Sequence, residues 1–108
     1  MKRYAAHRVY LAAKKEWCEG PQVVSVEEGK VLSLTPFTGE LPSVEWLGGL
    51  LIVASRLPER RPDEPFFCFL ERIPPVAAGD SATLSLWHVT SFNVHDMEFT
   101  AVSRIMRM

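Results

Sequence analysis

Apolar residues in this chain come in short runs separated by Gly, Pro, Asp and Ser, and several runs alternate apolar with polar at a period of two. That is the spacing of strands with one face buried. Tyr4 to Ala12 reads as a first strand, and Glu16 to Gln22 behind it as a turn or loop. From Gln22 to Phe37, Val24 and Val26 alternate with Ser25, and Leu32 and Leu34 with Ser33. Gly29, after Glu27 and Glu28, sits where a tight hairpin or a G1 bulge needs positive φ, so this segment predicts a β-hairpin. Pro36, Gly39 and Pro42 then forbid a regular ladder and predict a loop.

Glu45 to Ser55 holds a nearly unbroken apolar run, which predicts a strand buried on both faces. Arg56 to Pro65 is charged and punctuated by Pro58, Pro62 and Pro65, and reads as a surface connection. In the stretch that follows, Asp63 can cap a short helix with Pro65 in its first turn. The alternative is a buried strand over Phe66 to Leu70. Ser81 to Phe92 reads as a strand, Asn93 to Asp96 as a turn, and Met97 to Arg107 as the last strand. The pattern predicts an all-β fold, a small β-sandwich or barrel-like domain of about six to eight strands with at most one short helix near 63–72.

Composition narrows the picture. At 108 residues and 47% hydrophobic content the chain fits one domain with a real core, spanning 1–108: strands in 1–55, a connection over 56–65, further strands in 66–108. A formal charge of −1 and a pI near 6.3 give no global reason to expect nucleic acid or an anionic membrane as partner. Cys18 and Cys68 lack CxxC spacing, which reads as two free thiols in a reducing compartment. The basic N-terminus is interrupted by His7, Arg8, Lys14 and Lys15, unlike a signal peptide, and the longest apolar run is far shorter than the roughly 20 residues a bilayer needs. A cytoplasmic protein is expected, and Met1 with a closing strand at Arg107 reads as an intact chain.

His7 to Phe37, followed by Val44 to Ser55, is similar to the N-terminal segment of the amidohydrolase superfamily of metal-dependent hydrolases. Glu28, Gly29 and Lys30 match that family's acidic-Gly-basic turn, Pro36 the end of its hairpin, and Leu47, Gly48 and Gly49 its strand entrance. In the family this strand leads into a (β/α)8 barrel of roughly 250 residues bearing a His-x-His metal motif, usually after a Pro-Gly. Here Ala54 and Ser55 stand in place of Pro-Gly, and no His-x-His follows. Ala77 to Val89 resembles the return to the small β domain: Gly79, Ala82 and Leu84 match, whereas Asp80, Ser81 and Thr83 depart. The resemblance implies a composite β domain alone, with the barrel replaced by the connection Arg56 to Pro65. Its former barrel-facing side would then need a cover, for which a homodimer is the simplest solution.

Candidate chemistry is sparse. His7, His88 and His95, with Asp96, Asp80 or Glu98, are the weak candidates for a metal site, but their spacing matches no zinc motif. His7 and His88 read more simply as hydrogen-bonded strand residues, and Asp96 as a turn residue bonding its own backbone. Both cysteines read as structural. Trp46 and Trp87 are expected in the core, Trp17 at a surface, and Trp17, Phe66 and Phe67 as a possible interface. The expectation is a non-catalytic domain with no cofactor, working through protein contacts as a homodimer or with another protein. The alternatives are a small-molecule binding module on the former barrel-facing side and a small metal-dependent hydrolase.

Overall fold

The apolar run Leu50–Ala54 becomes the middle strand of the larger of two sheets. The computed structural model describes residues 2–39, 43–61, 63–73 and 84–108. In chain order these form β1 (Lys2–Ala6), β2 (Val9–Leu11), β3 (Glu16–Trp17), β4 (Gln22–Glu27), β5 (Lys30–Pro36), β6 (Val44–Trp46), β7 (Leu50–Ala54), the helix α1 (Phe66–Arg72), β8 (Ser85–Thr90) and β9 (Arg104–Arg107). One sheet runs β5-β4-β1-β6 and the other β3-β2-β7-β8-β9. The domain is a small, mainly β, sandwich-like fold. Among the described residues no helix is long and apolar enough to cross a membrane.

The sheets are joined by two chain segments that cross between them side by side. β1 pairs parallel with β6 in the first sheet, and their continuations β2 and β7 pair parallel in the second. Tyr4–Ala12, expected as one strand, is therefore two, broken at His7 and Arg8; the Glu45–Ser55 run is likewise broken at Leu47–Gly49. This splitting, with the short β3, raises the count to nine strands among the described residues. Ala5 faces Trp46 and Val9 faces Leu51, so four steps on the first segment match five on the second. Gly49 absorbs the extra residue at φ +82°, with the Val89 carbonyl oxygen where a Cβ would stand.

Two cores result. Tyr4, Ala6, Val24 and Val26 of the first sheet pack against Val9, Leu51, Val53 and Leu86 of the second. On the other face of the second sheet, Tyr10, Leu50, Ile52, Ala54 and Val89 meet Phe66, Ile73 and Phe92. Every residue of β7 is therefore buried, as its unbroken apolar run predicts.

The hairpin β4–β5 turns through Glu28 (φ 52°) and Gly29 (φ 78°), both left-handed as a type I′ turn requires. Its register shifts between Ser25 and Val26, so that Val26 faces Val31 and Ser25 faces Ser33. Leu32 is the extra residue of this bulge. It turns outward, 54% exposed, instead of sharing a face with Leu34.

Several expectations are corrected. Residues 16–17 are a strand rather than a loop, because Trp17 packs edge-on against Tyr10 across the β2–β3 pair, ring centroids 5.0 Å apart. Trp46 lies outside the core because β6 is an edge strand. The helix is confirmed, but Asp63 does not cap it: the Phe66 N–H donates to the carboxylate of Glu98 instead. The last strand is only Arg104–Arg107. Thr100 and Ser103 fold the preceding chain into a turn, both hydroxyls donating to the Ser91 carbonyl, at 2.7 and 2.9 Å.

In the connection, Leu57 and Arg60 are tied down rather than freely solvated. Arg60 lies 4.3 Å above the Phe99 ring and donates to the Ser103 carbonyl, while Leu57 packs against the helix-side core. Residues 74–83, including Asp80 and most of the Gly79–Leu84 match, lie outside the described residues.

Candidate functional site

Where the two segments cross, the backbone leaves the ladder of both sheets and a trough opens beside it. One depression of about 490 Å³ is walled by His7 and Arg8 from the first crossing, Leu47–Gly49 from the second, and Gly20, Pro21 and Val94. A second, of about 250 Å³, continues from it past Trp17, Cys18, His95 and Met97. The two share Arg8 and Val94, so they adjoin there. A Cβ added at Gly20 or Gly48 would meet no atom within 4 Å, which leaves the walls low there.

Trp17 lines the second depression, and Trp46 stands beside His7 of the first. Trp46 is 45% exposed, with the His7 ring 5.1 Å and the Phe37 ring 4.9 Å from its own. Trp17 is 37% exposed and is backed by Tyr10 and Phe66. Large aromatics held rigidly at a surface are the residues that anchor protein contacts.

Arg8 is the one formally charged residue that lines the two depressions. Arg8 is exposed and makes no side-chain hydrogen bond or ion pair among the described residues. The Asp96 carboxylate, next to His95 in sequence, accepts a hydrogen bond from the Asn93 amide at 3.0 Å. Burial pushes the Cys18 thiol up, with Glu16 adding to the shift and Lys14 opposing it, so this sulfur is a poor nucleophile.

The three histidines occupy different places. His7 stacks near Trp46, His95 lies in the second depression, and His88 donates from Nε2 to the Gly48 carbonyl at 2.6 Å, bracing the second crossing. Among the described residues no three of His, Cys, Asp and Glu converge as metal ligands would. Asp96 does lie in a turn, but Asn93 does the bonding, its Oδ1 accepting from the His95 and Asp96 N–H groups.

Of the expected interface residues, Trp17 and Phe67 are exposed, Phe67 at 64%. Phe66 is turned inward at 3% exposure against Phe92 and Phe99, because the first turn of α1 faces the second sheet. Arg8 and Trp46 escaped sequence reasoning. The signal for Arg8 was present: a charged residue between buried Ala6 and Val9 marks where an apparent strand leaves its sheet.

A separate depression of about 490 Å³ lies between the connection and the second sheet, over Leu57, Trp87 and Ile105, with Arg60 and Arg61 on its wall. Trp87 is half-buried there, its indole N–H donating to the Ala54 carbonyl. Comparisons with protein-family models, curated proteins and solved structures find no match to this chain.

Proposed function

We propose that this chain is a non-catalytic β domain, similar to the composite domain of amidohydrolases, that works through protein contacts at the strand crossing. The observation that carries the reading is a pair of exposed tryptophans near the crossing, Trp17 lining the second depression and Trp46 packed beside His7 of the first. An exposed indole backed by other rings offers a large contact area at little cost in side-chain freedom. The resemblance draws support from its own residues: Glu28 and Gly29 make the expected tight turn, and Leu47–Gly49 lead into the buried strand. Homodimerisation or contact with another protein would each cover the trough.

A photo-crosslinking amino acid at position 46, used in cells expressing the protein, tests this. The expected result is a covalent adduct of defined mass, whether with a second copy or another protein, that does not form from position 102, an exposed control. The same adducts from both positions, or none from 46, would remove the basis for the reading. A second reading, small-molecule binding, is favoured by the concavity at Trp17, Cys18 and Met97. Its mark would be saturable binding of a small ligand that quenches Trp17 without any crosslinked partner.

A further inference from the structure

We draw no further inference here: the strongest candidate, the depression of about 490 Å³ between the connection and the second sheet, carries nothing, since Arg60 on its wall is already held by the Ser103 carbonyl and the Phe99 ring, Glu59 lines it with the opposite charge, and nothing in the structure shows what covers it.

Discussion

Arg72 grips Glu64 by both carboxylate oxygens, Nε on Oε2 and Nη2 on Oε1, each at 2.6 Å. The same Nη2 reaches the Glu59 carbonyl at 2.8 Å, so the end of α1 is tied to both halves of the connection before it. The hydrogen bonds from Arg72 hold the Glu64 carboxyl below its ordinary range, against a smaller opposing effect of burial. A folded-state value below the unfolded one means that the stabilisation is fully present above the ordinary glutamate range, about pH 4.3, and is lost as pH falls through the lower folded value. Glu64→Gln should therefore melt below the parent at pH 7, with the gap closing as the pH is taken to 3. A gap that stays constant down to pH 3 would show that charge plays no part.

Gly49 and Gly20 both have positive φ, but their surroundings differ. At Gly20 a Cβ meets open space, whereas at Gly49 it meets the Val89 backbone carbonyl, which β7–β8 pairing holds in place. Gly20→Ala should cost about 1 kcal/mol, and Gly49→Ala about 3 kcal/mol or more. Urea denaturation of the two variants checks the difference; equal midpoints would mean that the crossing is more plastic than its geometry indicates.

Neighbouring phenylalanines should behave as opposites. Phe66→Ala removes a buried ring from the helix-side core and should cost about 3–5 kcal/mol. Phe67→Ala changes a ring that is already largely in water and should stay within about 0.5 kcal/mol. If Phe67→Ala proves as damaging in a monomeric sample, the orientation of α1 is wrong.

The helix start depends on a residue far along the chain. Glu98→Ala strips the Phe66 N–H of its acceptor and should cost about 1–2 kcal/mol, while Asp63→Asn should be close to neutral. The reverse order of these two effects would restore Asp63 as the cap.

Cys18 should react slowly. With its thiol pushed up by burial and by Glu16, less thiolate is present at neutral pH than in the unfolded chain, so alkylation by iodoacetamide at pH 7 should accelerate on adding denaturant. A folded-state rate equal to the unfolded one would contradict the placement of this thiol.

The parts of this fold legible in the sequence were those set by local chemistry. Gly29 announced the hairpin, and the unbroken run Leu50–Ala54 announced a strand covered on both faces. What stayed hidden depended on partners distant in sequence. Nothing near Phe66 indicates that Glu98 will cap it, and nothing near Trp46 indicates that its strand will lie at an edge. The bulge at Leu32 was hidden too, since alternation alone assumes an uninterrupted ladder. The trough was half legible: His7, His95 and Trp17 stood out as residues, but their meeting around Arg8 follows from two strands crossing together.

That paired crossing also governs the order in which the protein can assemble. The β2–β3 and β4–β5 ladders join near neighbours and can form within microseconds, whereas β1 with β6 and β2 with β7 join residues roughly forty positions apart. As the chain leaves the ribosome, β1 and β2 are made early and must wait, each with an unpaired edge, until β6 and β7 emerge. The two edges are then closed by one continuous segment, Val44 to Ala54, which completes the first sheet and gives the second its middle strand, with β8 and β9 still to be added. The parallel pair of each sheet is thus closed by the same stretch of chain that closes the other's.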